Sequence, residues 1–173
     1  DLRFGMEIVN LTEIFPETSF KVLGEVIKNK GEIGAIKVEN AGEFSRKKLD
    51  ELQLFVASFG AKGLFYIKII EGKEFHSSIA KFLSTQEIEE VIRKTNANPG
   101  DIILIAADQK EIVYSALGNL RIKLAHDLNL VNQNEKEINF LWVTNFPLLE
   151  YNSEEKRYES VHHPFTAPLE EDI

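Results

Sequence analysis

The chain has 173 residues, 43% of them hydrophobic, a net charge of −8 and no cysteine. That is enough apolar content for a sizeable core, and it excludes disulfides and thiolate metal sites. Four histidines, scattered apart from one adjacent pair, argue against a structural zinc site. No apolar run approaches the roughly 18 residues needed to span a bilayer and no signal-peptide pattern opens the chain, so the reading is a cytoplasmic protein without a membrane partner. The acidic balance also lacks the basic face of a nucleic-acid binder. The clusters Lys28-Asn-Lys30 and Arg46-Lys-Lys48 are small, with carboxylates close by, and read as solvated helix and turn surfaces.

In chain order, residues 6–11 alternate like a short strand, and Thr12 offers an N-cap for one helical turn ending before Pro16. Residues 19–27 and 34–38 read as two strands around a polar turn at 28–31. Ser45 caps a helix to about Phe59, with Leu49, Leu52, Phe55, Val56 and Phe59 on one face and Gly60 as its terminator. Residues 64–70 are aromatic and β-branched, hence a strand. A looser stretch holding His76 leads to a short turn at 79–83. Ser-Thr-Gln-Glu at 84–87 is a capping box that opens a helix to about Lys94. Asn98-Pro-Gly is a turn, and the apolar run 101–107 is the expected central strand. Residues 109–126 read as a long amphipathic helix with Ile112, Val113, Leu117, Leu120, Ile122 and Leu124 inward. Strands and helices in alternating pairs define a two-layer α+β domain.

Chemistry is concentrated near the end. Phe-Leu-Trp-Val-Thr-Asn-Phe-Pro at 140–147 is apolar on both faces, as in a strand covered twice. A polar segment, 150–157, joins it to Val-His-His-Pro-Phe-Thr-Ala-Pro at 161–168, read as a second strand of the same buried sheet. Successive residues of a strand face opposite ways, so at most one of His162 and His163 meets a ligand directly. The other packs or supports its neighbour. His76 near Ser77 and Ser78 lacks a nucleophile elbow, and His126 near a helix end simply favours the helix dipole.

Trp-Val-Thr-Asn-Phe-Pro-Leu-Leu-Glu at 142–150, followed by His-His-Pro-Phe-Thr-Ala-Pro at 162–168, resembles the bacterial type of aspartyl-tRNA synthetase. Asp-Leu-Arg-Phe-Gly-Met-Glu-Ile-Val at 1–9 resembles the segment after motif 2 of that family. The middle resembles its GAD insertion domain, through residues 45–52, 60–64, 79–83 and 118–121. The motifs occur in the family's order across essentially the whole chain.

The resemblance implies three pieces. Residues 1–18 would end a catalytic-domain segment, 19–130 would form the GAD (DCoH-like) insertion, and 131–173 would return to the catalytic domain. The insertion would then be flanked by strands of a class II antiparallel catalytic sheet. Insertion of a domain with its own core costs little closure entropy, and Asn-Gln-Asn-Glu-Lys-Glu at 132–137 makes an exit linker. A start without methionine and the acidic end at 169–173 fit a segment of a longer protein. The parent would be a homodimer that activates L-aspartate with ATP and magnesium and transfers it to tRNA. His162 matches the family position that contacts substrate aspartate, and His163 supports it. Motifs 1, 2 and 3 are not in this chain, and motifs 2 and 3 would carry the arginine and metal chemistry, so no catalytic residue is assigned and the segment alone is expected to be inactive. The second reading is a GAD-bearing tRNA-binding or spacing module, as in tRNA-dependent amidotransferases.

Three positions depart from the family pattern. Asn145 stands where Asp is usual, Ser78 where proline is usual, and Asn129 where glycine is usual. Asparagine tolerates left-handed backbone, so the last change should be quiet.

Overall fold

The structure, a computed structural model, describes residues 3–71, 75–130, 140–144, 146–152 and 155–161. The chain divides into two compact units, 1–135 and 136–173.

The first unit is built on a five-stranded antiparallel sheet. Its strands are β1 (Val9–Asn10), β2 (Glu32–Val38), β3 (Phe65–Ile69), β4 (Phe75–Ser77) and β5 (Ile102–Asp108), in the order β1-β2-β5-β3-β4. The most apolar run is indeed the central strand. It pairs with β2 (Ile36 opposite Leu104) and with β3 (Ile67 opposite Ile103). Ile102, Ile103, Leu104 and Ile105 are all fully buried. A strand apolar on both sides must be covered on both sides.

Period-2 alternation divides those side chains between two cores. Ile36, Val38, Ile102 and Leu104 pack with Leu52 and Val56 of α2 (Arg46–Ala57) and with Leu117, Leu120 and Leu124 of α4 (Lys110–Asp127). On the opposite face Ile33, Ala35, Ile67, Ile103 and Ile105 meet Leu23 of α1 (Lys21–Lys28) and Ile88 and Val91 of α3 (Thr85–Thr95). The α+β class is as expected, with helices added on the second face as well. Leu11 and Phe15 lie in this second core too, so the segment before residue 18 is part of this unit. Among the described residues no helix is long and apolar enough to cross a membrane.

Around Ser45, Gly60 and the Ser84–Glu87 box the elements fall as read. Ser45 Oγ accepts the Lys48 N–H, and Gly60, at φ +89°, follows the end of α2. At the start of α3 the Ser84 hydroxyl accepts the Glu87 N–H (3.2 Å) while the Glu87 carboxylate accepts the Ser84 N–H (2.6 Å). Asn129 adopts φ +53°, the left-handed backbone that glycine would supply in the family pattern. Ser78, where proline is usual, donates its N–H to Tyr66 O and accepts the Tyr66 N–H on its hydroxyl. A proline could do neither.

Four readings are corrected. Residues 19–27 form no strand: α1 occupies Lys21–Lys28. Phe20, Leu23, Val26 and Ile27 recur at three- and four-residue spacing and give a buried helical stripe, which outweighs the β-branched content. Thr12 opens the 3-10 turn Thr12–Ile14 but does not cap it; its hydroxyl accepts the Ile33 N–H instead, tying the turn to β2. His76 lies on edge strand β4 rather than in a loose stretch. Ile122 is 49% exposed, because its position on α4 turns away from the sheet while Leu120 and Leu124 face it.

Candidate functional site

The second unit holds the segment in which the sequence concentrates its chemistry. Its described part is a hairpin of β6 (Leu149–Asn152) and β7 (Arg157–Ser160), with Leu149 opposite Ser160 and Tyr151 opposite Tyr158. The two tyrosine rings meet edge to face at 5.3 Å, a cross-strand aromatic pair. Beyond β7 the Val161 N–H still donates to Leu148 O (3.1 Å). The antiparallel ladder therefore runs to the residue before His162. His162 and His163, with Phe165, Thr166 and Asn145, lie outside the described residues.

Residues 140–144 are not a buried strand. Phe140 is 91% exposed and Trp142 94%, and the strands observed nearby overlap the segment read as a solvated connection at 150–152 and 157. The physical reason follows from the pattern itself. A strand apolar on both faces is stable only between two covering layers, and Phe140 and Trp142 are left uncovered among the described residues. The connection is as solvated as expected, with Glu150, Tyr151 and Arg157 all exposed.

The cationic clusters are engaged or solvated, as the sequence indicates. Lys48 bonds Asp127 at 2.7 Å and lies 3.5 Å from Glu51. Lys123 joins both carboxylates, at 3.1 and 3.2 Å, closing a network between α2 and α4. The Lys48 hydrogen bond, more than any other contact, holds the Asp127 carboxyl below the usual range. The Lys123 hydrogen bond does the same for Glu51. Lys48 is thus paired within the fold, while Arg46 and Lys47 are exposed. His126 falls in the last turn of α4, as the dipole reading requires. His76 stacks on Tyr66, and its serine neighbours serve backbone: Ser77 Oγ accepts the Ile79 N–H and Ser78 Oγ the Tyr66 N–H.

One concave feature in the first unit escapes the sequence reading. A cleft of about 600 Å³ opens where β5 passes into α4, beside the start of β3 and α1. Phe20, Phe65 and Phe82 form an aromatic wall, in which Phe20 and Phe82 stack with centroids 4.8 Å apart and planes within 4°. Asp108, the last residue of β5, also lines the cleft and is 4% exposed. Its Oδ1 accepts the Gln109 N–H (2.9 Å) and faces the Lys62 ammonium at 3.5 Å. Its Oδ2 is enclosed and has no hydrogen-bond partner among the described residues. The local signal was a carboxylate ending the most apolar strand just before a helix. Its significance depends on Lys62 and on three phenylalanines distant in sequence, so no local pattern reveals it.

Comparison with known proteins fixes the family. The GAD domain model matches residues 23–117, and the chain belongs to the GAD domain family. Similarity is not confined to that domain. The chain is 53% identical over 174 residues to an aspartate–tRNA ligase of Clostridium tetani, matching 100% of this chain and 29% of that protein. It is 46% identical over 173 residues to an aspartate–tRNA(Asp/Asn) ligase of Caldanaerobacter subterraneus subsp. tengcongensis, again 29% of that protein, and 47% identical to one of Desulfotalea psychrophila, 28% of it. The chain thus spans less than a third of the length of these relatives. The resemblance to bacterial aspartyl-tRNA synthetases, read from the motifs at 1–9, 142–150 and 162–168, is borne out.

Proposed function

We propose that this chain is a section of an aspartate–tRNA ligase, which activates L-aspartate with ATP to aspartyl-adenylate and passes the aspartyl group to the 3′ end of tRNA. The observation that carries the reading is the extent of the similarity. It covers all of this chain, beyond residues 23–117 on both sides, and so includes the Trp-Val-Thr-Asn-Phe-Pro and His-His-Pro-Phe-Thr segments. A GAD module serving only as a binding or spacing element has no need of those flanks.

In this reading 19–130 are the insertion and 131–173 return to the catalytic body; residues 9–15, within the 1–18 segment expected to end a catalytic stretch, pack into the insertion's own sheet and core. The division of the chain after Glu135 supports an exit linker at 132–137. His162 would hydrogen-bond the carboxylate of L-aspartate, a charge-assisted contact if the imidazole is protonated, and His163 would support it from the other face of the strand. Attack on the α-phosphate needs an aligned carboxylate and neutralisation of developing charge. Among the described residues no three carboxylates or histidines gather to hold a metal ion. The reading assigns the main ligands of ATP and magnesium to the remainder of the protein. The parent would act in the cytoplasm as a homodimer.

Aspartate-dependent ATP–pyrophosphate exchange tests the assignment. In the full-length protein His162→Ala should raise the KM for aspartate by about tenfold or more, the loss of one charge-assisted bond. The 173-residue chain alone should give no exchange. An unchanged KM would remove His162 from the site, and exchange by the chain alone would overturn the placing of the catalytic motifs elsewhere.

A further inference from the structure

We propose that the cleft beside Asp108 binds an organic cation, a protonated amine carried on a short apolar stem. Buried polar atoms nearly always find a partner in protein or water. Asp108, 4% exposed and lining the cleft, has none for its Oδ2 among the described residues, so its carboxylate can accept from a donor brought by a ligand. The structure already shows which species approaches this carboxylate. The Lys62 ammonium stands 3.5 Å from Oδ1, too long for a good charge-assisted bond, on a side chain that is 84% exposed and so free to give way. Phe20, Phe65 and Phe82 supply the apolar wall, and the exposed Phe82 ring already takes one cation, Lys81 Nζ at 4.8 Å from its centroid. An aromatic face beside a carboxylate suits an ammonium on a hydrocarbon stem.

Charge selects against the alternatives. The cleft is lined by two carboxylates, Asp108 and Glu25, against the single amine of Lys62, on a chain of net charge −8. The first N–H of the α4 junction, Gln109, is taken by Asp108 itself, so a phosphate or carboxylate would meet a negative charge there. The volume, about 600 Å³, falls in the range of small-molecule sites. The ligand is thus of opposite charge to the anions of the proposed ligase reaction.

The test is an NMR titration of the ¹⁵N-labelled 173-residue chain with 1,4-diaminobutane and with 2-phenylethylamine, using neutral 2-phenylethanol as control. Amides at 62–65 and 107–109 should shift saturably with the amines and not with the alcohol, at a dissociation constant on the order of millimolar or tighter. Asp108→Asn, which keeps an acceptor for the Gln109 N–H, should weaken binding by about tenfold or more. Lys62→Ala should tighten it several-fold, because it removes the internal competitor. That reversal of sign is not expected of a merely structural lysine. Nα-acetyl-lysine amide distinguishes the source: binding tighter than the diamine points to a side chain of another polypeptide, binding weaker to a free amine, and either supports an ammonium site. No saturable shift would mean that Oδ2 is met by water, and the proposal fails. It fails equally if the alcohol shifts the same amides or if Lys62→Ala leaves amine binding unchanged. The lysine variant decides the matter should Asp108→Asn not fold.

Discussion

The two units of this chain carry apolar side chains of the same kinds and treat them in opposite ways. In the first, Leu104, Ile103 and Leu120 are wholly enclosed, and each face of the sheet has its own helices. In the second, Phe140, Trp142 and Val143 are exposed, at 91, 94 and 65%. Hydrophobic burial is the main favourable term in folding, so the first unit supplies its own stability. The second keeps a two-stranded hairpin with a ladder, a tyrosine pair and an Asn152–Glu159 side-chain hydrogen bond, and two-stranded hairpins are marginal alone. Under the proposed function the difference has a cause: an insertion must fold by itself, whereas the segment that follows it would be part of a sheet completed by the rest of the protein.

The sharpest way to break this contrast is to hollow out the first unit. Leu104→Ala removes a side chain at 0% exposure from the central strand and should cost about 2–5 kcal/mol. A urea midpoint within error of the parent chain would contradict the picture of a closed core. Gly31→Ala comes next. A Cβ there would lie 2.5 Å from the backbone oxygen of Asp108 and 2.8 Å from Val26 Cγ1, so backbone must move. The expected cost is about 1–3 kcal/mol by the same denaturation assay, as for overpacking. An unchanged midpoint would show that α1 and β5 have more room than their geometry implies.

What the sequence disclosed follows the same division. Ser45, the Ser84–Glu87 box and Asn129 act within a few residues of themselves, and the structure places all of them as read. The apolar run at 101–107 declares a central strand because covering on both faces leaves no alternation. Residues 19–27 misled because Val22, Val26 and Ile27 favour strands individually, while the stripe through Phe20, Leu23 and Ile27 is helical. Residues 140–147 have the composition of a doubly covered strand, but Phe140 and Trp142 stay exposed, so the described part of the pattern, 140–144, does not become a strand. Asp108 was invisible because its partner Lys62 is 46 positions away.

A smaller effect probes the surface of the first unit. Hydrogen bonding to Lys48, then to Lys123, holds the Asp127 carboxyl below its ordinary value, about 3.9. A depressed folded-state pKa stabilises above the unfolded value, and that contribution is lost as pH falls through the lower folded value. Asp127→Asn should therefore cost a few tenths to about 1 kcal/mol near neutrality. Its stability curve should converge on that of the parent chain below about pH 3.9. Urea midpoints measured from pH 6 to 2 decide it: curves that stay parallel throughout would mean the network contributes nothing through this charge.

The smallest expected change is also the most informative about the second unit. Trp142 is 94% exposed, so Trp142→Ala in the 173-residue chain should alter stability by no more than about 0.5 kcal/mol. If residues 140–147 are a strand of a sheet completed elsewhere, the same substitution in the full-length protein removes a covered indole and should cost about 3–5 kcal/mol. The chain and the full-length protein differ only in what surrounds the residue, so the difference between the two measurements isolates the covering. A small effect in both would leave Trp142 at a true surface and remove the reason for placing this segment in a buried sheet. A large effect in the chain alone would mean that the second unit already has a core of its own, and the contrast between the two units would collapse.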